Sequence, residues 1–444
     1  MSEIRTSYLS QYDAAAEKDK FRLVRGWIDK EPLPFFKELR ERRPVLVTPV
    51  CTLLARFHDV TEILNMPKVF TVQLYVPKMV DYLMAHDDDA LHSREKAIMQ
   101  SMLNRDDLPK VREMVAKIAR GILDKANGRI EVVKEYCRMV PATLVQEYFG
   151  LDGVEQKDLI DWSFWNQYDT FDNHPFDSVP SELQLQIVAR HKQVNEKLAT
   201  YVKELIARRL VEVKAEEAGH ILLFPWYLLR KLVRLLLGQK KQAFKDDIVA
   251  RMLRTSYPDA VDFDIQRLGI NAGGLLIGSI ETTSQAVAQV IQFLMDRPES
   301  LADAVSASQR NDLKLFDAIV WEALRFVPIS PFLFRQAAQD FTVCKGTEHA
   351  TTIRAGTTVL ALTQSAMFDT AAFENPDQFL AGRDWYHYFH FGFASHECLG
   401  KYIGMVMIPE MVRQVVTRPG IKALGAIDYQ SSPFPEQFNL SWSS

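Results

Sequence analysis

The feature that most restricts the fold is a long apolar segment, Asp262–Met295, in the second half of this 444-residue chain. Its middle part, Ile270–Ile280, is apolar almost throughout, and the part that follows is semi-polar. A helix that is apolar on every face has to be surrounded by other protein. The segment therefore predicts a helix that runs through the core of a chain long enough to enclose a sizeable ligand.

Other segments predict a mainly α fold with a minor β region. Apolar residues at three- and four-residue spacing predict helices over Asp107–Asp124, Ile130–Phe149 and Ser181–Leu210. Strand signals are short and occur at Val45–Phe57 and Phe341–Leu362. Because strands from distant parts of the sequence would share one region, we expect a single interlocked domain over residues 1–444.

Segment 212–245 does not fit a compact helical body. It passes from acidic residues through the apolar run Ile221–Leu229 to basic residues that begin with Arg230 and Lys231. An apolar, cationic, Trp-bearing helix suits a membrane interface, so one interpretation is peripheral membrane contact through 221–237. The other is an extra helix packed on the body with its basic face in water.

Composition limits the class of protein. The net charge of −4 removes the main electrostatic argument for nucleic-acid binding, so no nucleic-acid partner is expected. The four cysteines are too few and too scattered for a disulfide framework. The first residues are polar and lack the apolar region of a signal peptide, and no stretch reaches the ~20 apolar residues of a membrane span. We therefore expect a cytoplasmic protein.

The segment Phe389–Gly404 carries the clearest chemical signal. Cys398 lies between His396 and Gly400, directly before a long helical pattern. A cysteine at a helix start has its thiolate stabilised by the helix dipole and by backbone N–H groups. This arrangement allows one thiolate to bind a metal from one side, although an isolated cysteine is more often a small buried hydrophobe.

A second interpretation of this segment is a zinc site made by His387, His390, His396 and Cys398. The spacing matches no common zinc pattern, and the aromatic residues between these side chains indicate burial under something apolar.

A second candidate site, Gly278–Thr283, lies within the long apolar helix. An acid beside a hydroxyl is costly there unless it is partnered or functional. Gly278 weakens the helix, and the Thr282 hydroxyl is placed to bond back to an i−4 carbonyl and widen it, leaving room for water or dioxygen. Without other evidence, the residues favour the alternative in which Glu281 is solvated where the helix reaches the surface.

Together these segments resemble the cytochrome P-450 family of haem-thiolate monooxygenases over nearly the whole chain. Phe391–Gly400 is similar to the family's haem-binding loop and Gly278–Thr283 to the oxygen groove of its central helix. Glu322 and Arg325 match its Glu-x-x-Arg pair. The resemblance implies a mainly α cytochrome P-450 fold that encloses haem b (iron protoporphyrin IX).

The resemblance also implies residue roles. Cys398 would be the iron ligand. Glu281 and Thr282 would be the catalytic acid–alcohol pair. The residues that would contact the haem or its propionates are His92, Lys96, Arg335, Phe391 and His396. Ala394 and Ser279 stand where the family usually has glycine, and Pro409 falls inside the helix after Cys398. Segment 212–245, an apolar and basic helix, looks like an insertion relative to compact members of the family.

The implied activity is insertion of one oxygen atom from O2 into a lipophilic substrate, such as a fatty acid, terpene or polyketide. Aromatic residues in the expected lid favour such a ligand: Tyr75, Tyr82, Trp162, Phe164, Trp165, Tyr168 and Phe171. The chain would need a separate ferredoxin or flavodoxin-type electron donor. Two interpretations, a basic face for this donor and ordinary solvated side chains, are open for Lys96, Lys110, Arg112 and Lys401. The alternatives are a peroxide-using haem-thiolate isomerase or peroxygenase, and a non-catalytic haem-binding sensor or carrier.

Overall fold

The structure is a computed structural model that describes residues 7–222, 246–258 and 261–443, leaving aside the side chains of 215–222. The α-helices are α1 Tyr8–Ala14, α2 Glu17–Lys30, α3 Pro32–Arg42, α4 Phe57–Leu64, α5 Ala90–Met102, α6 Leu108–Lys125, α7 Met139–Leu144, α8 Gln156–Asp172, α9 Ser181–Leu222, α10 Ile248–Arg254, α11 Ile265–Ile277, α12 Glu281–Met295, α13 Pro298–Gln309, α14 Leu313–Phe326, α15 Thr363–Ala366 and α16 Lys401–Val416. The strands are β1 Val45–Val47, β2 Thr52–Leu54, β3 Phe70–Thr71, β4 Arg129–Glu131, β5 Leu333–Ala337, β6 Phe341–Val343, β7 Thr351–Ile353, β8 Thr358–Ala361, β9 Lys422–Ala423 and β10 Asn439–Ser441.

The largest sheet joins early and late sequence, as expected. Its strand order is β1-β2-β8-β5-β3, and β2 pairs in parallel with β8 while the other neighbours are antiparallel. The smaller sheets are β4-β10-β9 and β6-β7. The mainly α fold class with a minor β region is therefore confirmed.

The apolar segment forms two helices rather than one. α11 ends at Ile277 and α12 begins at Glu281, with Gly278, Ser279 and Ile280 between them. α12 packs against α16 and α14, while α11 packs against α8 and α9. The prediction of a core position is confirmed, and the break falls at the glycine expected to weaken the helix.

The other helix predictions agree with the structure to differing extents. α6 and α9 follow the predicted segments, and α9 extends to Leu222. Segment 130–149 begins as strand β4 and then forms α7 between two π-helical turns. α16 continues through Pro409, which is buried in it.

The interpretations of segment 212–245 remain predictions. Its first residues belong to α9, whereas 223–245, with most of the proposed membrane-contacting stretch 221–237, lies outside the described residues. Among the helices that the structure describes, none is both long and apolar enough to cross a bilayer.

Candidate active site

Cys398 lies directly before α16, where the sequence places it. Its backbone N–H donates to Phe391 O at 2.7 Å, which closes the preceding loop, and Gly400 is the N-cap of the helix. Gly392 has φ +76° and Ala394 φ +55°, so both are in the left-handed region. The left-handed region is unfavourable for alanine but not for glycine. Ala394 therefore keeps the backbone conformation that a glycine would adopt at this position.

The Cys398 thiol lines an enclosed space. The residue is exposed to a water-sized molecule, yet burial is the main influence on the pKa of the thiol and raises it. The backbone N–H groups of Gly400 and Lys401 and the charge of Lys96 act in the opposite direction. The helix start therefore stabilises the Cys398 thiolate, as predicted. In the protein without a bound metal, the effect of burial on the thiol pKa is larger than this stabilisation.

Phe391 is wedged between the loop and α16. A Cβ atom at Gly404 would lie 2.7 Å from its Cε1 atom, so only glycine admits the ring at this depth. The ring also contacts Trp321, with 5.6 Å between centroids. Phe391 therefore fixes the loop against α16.

Cationic and N–H donors from two elements, β5 and α5, converge beside this loop. Arg335 on β5 is 4% exposed, and His92 on α5 is 1% exposed. His92 Nε2 lies 3.0 Å from Ser395 O, and Lys96 Nζ contacts the backbone oxygens of Ser395 and Glu397. The predicted set of His92, Lys96, Arg335 and His396 is brought together.

The electrostatics of this cluster suit a buried anion. Burial, together with the charges of Arg335, His92 and Lys96, lowers the pKa of His396 to about 2. Nε2 of His396 is buried without a hydrogen-bond partner among the described residues. An unsatisfied His396 nitrogen beside the positive charges of Arg335 and Lys96 fits the carboxylates of a ligand.

The break between α11 and α12 forms a groove. Gly278 is exposed although it lies between two core helices, which indicates an opening inside the protein. Thr282 Oγ1 donates to Gly278 O at 2.8 Å, the i−4 bond that the sequence predicts, and Ser279 Oγ donates to Leu275 O. Both hydroxyls therefore hold the distorted turn.

Sequence reasoning missed the residues that support this groove from α8. Gln167 Nε2 donates to Ile277 O at 2.6 Å, and Ser163 Oγ donates to the same oxygen at 3.4 Å. These side chains satisfy a carbonyl that the break leaves without its helical partner. A polar Ser-x-x-x-Gln spacing within a buried helix was the available signal.

Glu281 is buried, so the interpretation of a solvated Glu281 is wrong. Its side chain is 1% exposed and pairs with Arg138, whose Nε lies 2.9 Å from Oε1 and 3.0 Å from Oε2. The hydrogen bond is made to Oε2, and Oε1 has no aligned donor among the described residues. Burial raises the pKa of Glu281 to about 7, against the lowering effect of Arg138.

Arg138 connects Glu281 to the outer surface. Its other nitrogens bind Glu436, with Nη2 2.9 Å from Oε1. Arg138 and Glu436 also line an open cleft of about 660 Å³ together with Phe164 and Trp165. Arg138 is the second functional candidate that the sequence analysis missed, because its partners lie 143 and 298 residues away.

Glu322 and Arg325 form a fully buried network behind the loop. The Glu322 carboxylate receives hydrogen bonds from Arg325, Arg383, Tyr388 and the backbone N–H of Leu380. Burial raises the pKa of Glu322, but the hydrogen bonds from Arg325, Leu380 and Tyr388 and the charge of Arg325 outweigh it, so the pKa is lowered. The pair is therefore a buried ion pair whose charges are fully compensated by their neighbours.

The zinc interpretation receives no support in the part of the chain that the structure describes. No group of three or more metal-binding side chains occurs there. His390 Nε2 instead bonds to Trp321 O at 2.9 Å.

Most of the proposed basic docking face is already paired. Arg112 binds Asp317, and Lys401 binds Glu397 at 2.6 Å. Lys96 contacts backbone oxygens within the loop, and Lys110 remains exposed.

Several aromatic residues of the expected lid pack into hydrophobic clusters. Phe164, Trp165 and Tyr168 pack together and against Phe434. Tyr75 contacts Phe171 of α8 and Phe334 of β5 at centroid distances of 5.5 and 4.6 Å. The ring contact between Tyr75 and Phe171 joins two aromatic residues of the expected lid that are far apart in sequence.

Comparison with known proteins identifies a family. A sequence model described as Cytochrome P450 matches residues 65–418. The chain is 22% identical over 401 residues to pulcherriminic acid synthase of Bacillus subtilis (strain 168), covering 86% of each protein. It is 23% identical over 344 residues to the cytochrome P450 monooxygenase PikC of Streptomyces venezuelae, covering 76% of this chain and 69% of that one.

Solved structures share the fold at low identity. Cytochrome P450 CYP109Q5 from Chondromyces apiculatus matches with a TM-score of 0.71 at 20% identity, covering 94% of this chain and 96% of that one. P450BioI in complex with hexadec-9Z-enoic acid ligated acyl carrier protein matches with a TM-score of 0.70 at 18% identity, covering 94% of this chain and all (100%) of that one.

Proposed function

The chain belongs to the cytochrome P450 family of haem-thiolate monooxygenases, and we propose that its substrate is a lipophilic small molecule such as a fatty acid, terpene or polyketide. One atom of O2 enters a C–H or C=C bond of the substrate. The other atom leaves as water after two electrons and two protons are taken up. The observation that carries this proposal is Cys398, which lies at the start of α16, the helix that packs against α12 of the broken core segment.

As a family member the chain binds haem b, and its residues fit that group. When bound, the haem supplies the oxidising chemistry. In our proposal Cys398 holds the iron, since metal coordination deprotonates a thiol outright despite the burial that raises its pKa. The unsatisfied His396 Nε2 and the buried Arg335 support a role in binding the two propionates.

Glu281 and Thr282 are proposed to manage protons at the groove. The burial that raises the pKa of Glu281 to about 7 makes it able to take up and release a proton near neutral pH. Arg138 pairs with the Glu281 carboxylate and orients it. Arg138 also lines the cleft that is open to solvent. Thr282 stands one residue along the helix with its hydroxyl held by Gly278 O.

The substrate class rests on the chamber and on the relatives. Tyr75, Phe171 and Phe334 pack against one another, and we propose that this aromatic cluster borders the substrate chamber. Relatives include proteins named mycinamicin IV hydroxylase/epoxidase and pentalenic acid synthase, and one solved neighbour holds a fatty acyl chain on a carrier protein. These names support a bulky, mostly apolar substrate.

Electrons are proposed to come from a separate ferredoxin or flavodoxin-type protein in the cytoplasm. The four cysteines are all unpaired, as suits a reducing compartment. Of the basic groups considered above, Lys110 is the one that stays exposed for such a partner.

The test is the absorption spectrum of the reduced, CO-bound protein. A thiolate-bound haem gives a red-shifted band, which we expect in the parent and in Cys344→Ala but not in Cys398→Ala. Cys344 is a matched control because it is partly exposed and distant from the loop in sequence. A colourless parent protein, or a band that survives Cys398→Ala, contradicts the proposal.

Turnover separates the alternative functions. With reductant, a donor protein and O2, substrate should be oxidised, whereas peroxide alone should support little product. Product formed equally well with peroxide favours the peroxygenase, and the absence of substrate-dependent O2 consumption favours the sensor or carrier.

A further inference from the structure

A group of aromatic rings beside the Cys398 loop has no part in the chemistry proposed above. The segment Trp385–Phe391 supplies most of them, and it contacts Trp321, which lies on α14 directly before Glu322. Two of these rings are indoles, and tryptophan is among the side chains that give up one electron most readily. The segment therefore places oxidisable rings next to the residue that is proposed to hold the haem iron.

Trp321 and Trp385 are in direct contact. Their ring centroids are 5.3 Å apart in an edge-to-face arrangement, with 81° between the planes. Trp321 is 5% exposed, whereas Trp385 is partly exposed and is followed by Tyr386, which is 84% exposed. The two indoles therefore lead from the interior of the protein to its surface.

Phe391 connects this pair to the Cys398 loop. Its ring centroid lies 5.6 Å from that of Trp321 and 6.2 Å from that of Trp385. The backbone N–H of Cys398 donates to Phe391 O at 2.7 Å. A phenylalanine ring is too difficult to oxidise to hold a charge, so Phe391 is a packed spacer. Because electron transfer slows steeply with distance, the contact places Trp321 one short step from a group held by Cys398.

Neighbouring groups favour the indoles over tyrosine as the electron carriers. Lys401 Nζ lies 5.8 Å from the ring centroid of Trp385, but its charge is balanced by Glu397 Oε1 at 2.6 Å. The Tyr388 ring lies 5.7 Å from that of Trp385, and its hydroxyl donates to Glu322 at 2.8 Å. A phenol has to lose its proton when it is oxidised. Glu322 is a poor acceptor for that proton, because its hydrogen-bond donors lower its pKa.

We propose that Trp321 and Trp385 form an electron relay between the haem and a soluble one-electron reductant such as ascorbate. The relay operates when O2 has been activated and no substrate accepts the oxygen atom. Trp321 gives one electron to the haem, Trp385 gives one to Trp321, and the reductant restores Trp385. Two such electrons, with two protons from solvent, release the oxygen atom as water and return the iron to its ferric state. The inference rests on the proposed function and adds to it a route that protects the protein from its own oxidant.

The test detects the relay as a radical on the protein. The ferric holoenzyme is mixed with peracetic acid in the absence of substrate, frozen within milliseconds and examined by electron paramagnetic resonance. Protein that contains ring-deuterated tryptophan identifies an indole radical by the narrowing of its lines. We expect an indole radical in the parent protein and its loss in Trp321→Phe.

Trp385→Phe separates the two steps of the relay. An indole radical should still form on Trp321, but ascorbate should no longer quench it as it does in the parent, and the haem absorption should bleach faster. Trp442→Phe is the matched control, because Trp442 is also partly exposed beside a cation, with the Arg418 guanidinium 6.0 Å from its ring centroid. This control should match the parent in radical yield, quenching and bleaching.

The same measurements can overturn the relay while the haem-thiolate band persists. A parent protein that forms no radical, or only a tyrosine radical, overturns it. An indole radical that persists in Trp321→Phe, or one that ascorbate still quenches in Trp385→Phe, does so as well. If Trp321→Phe fails to bind haem, the quenching in Trp385→Phe decides. A parent protein without the haem-thiolate band overturns the proposed function too.

Discussion

Arg138 and Glu281 form a buried ion pair that joins the broken core helix to a cleft at the surface. Nε of Arg138 lies 2.9 Å from one carboxylate oxygen and 3.0 Å from the other, and the two side chains are 6% and 1% exposed. Burial raises the pKa of Glu281 to about 7, and Arg138 prevents it from rising further. The pair thus sets the pH range in which Glu281 can exchange a proton.

Arg138→Gln should shift the pH dependence of the reaction. Removing the guanidinium removes the influence that lowers the pKa of Glu281, so the ionisation near pH 7 should move to higher pH. Product formed per electron pair, measured between pH 6 and 9 (about one unit below to two above that ionisation), should show this shift.

Two variants make this measurement specific. Arg129→Gln removes an exposed arginine and should leave the profile unchanged. Glu281→Gln should abolish the ionisation, and an unaltered profile in that variant would exclude Glu281 from proton handling.

Gln167→Met should disturb the groove from outside it. The substitution leaves Ile277 O with the weak 3.4 Å bond from Ser163, and an unsatisfied buried carbonyl costs about 1–3 kcal/mol. We expect a lower melting temperature and more hydrogen peroxide released per reductant consumed. Gln186→Met, on the exposed face of α9, should change neither quantity. If the melting temperature of Gln167→Met falls as expected but its peroxide release is unchanged, Gln167 has only a structural role.

Glu322→Ala should destabilise the fold below the loop. It leaves Arg325 and Arg383 buried with no carboxylate between them, and removing one member of a buried ion pair costs about 3–5 kcal/mol. Denaturant unfolding and the haem content of the purified protein measure the effect. Glu348→Ala, at an 87% exposed position, should change stability by less than about 0.5 kcal/mol.

The sequence predicts the parts of the site whose residues are close together in the chain. The thiol before a helix start and the Thr282 bond to the i−4 carbonyl depend on contacts within a few residues. Glu281 was misjudged because its burial depends on Arg138, which lies 143 residues earlier. An acid in a helix is usually solvated, and only the tertiary contact reverses that expectation.

The break in the core helix also depends on contacts between residues far apart in sequence. Gly278 predicts a weak point in the helix, but the end of α11 at Ile277 also requires Gln167 and Ser163, which satisfy the freed carbonyl of Ile277. These donors come from α8, which the sequence analysis treated only as a source of lid aromatics. Short strands such as Phe70–Thr71 were missed because two residues carry no periodicity.

Asp172, at the C-terminal end of α8, should make stability depend on pH. Burial raises the pKa of its carboxyl to about 8, and the charge of Asp177 adds to this, against the lowering effects of Arg25 and Lys78. An ordinary aspartate titrates near pH 4 in the unfolded chain, so between about pH 4 and 8 the folded protein holds a proton that the unfolded chain releases. Stability from this group is therefore lost as the pH rises through that window.

The variant Asp172→Asn tests this dependence. Its melting temperature should match that of the parent at pH 4 and exceed it increasingly up to about pH 8, where the difference levels off. Asp29→Asn, whose side chain is 47% exposed beside the same Arg25, should not reproduce this trend, and parallel melting curves for Asp172→Asn and the parent across the window would contradict the prediction.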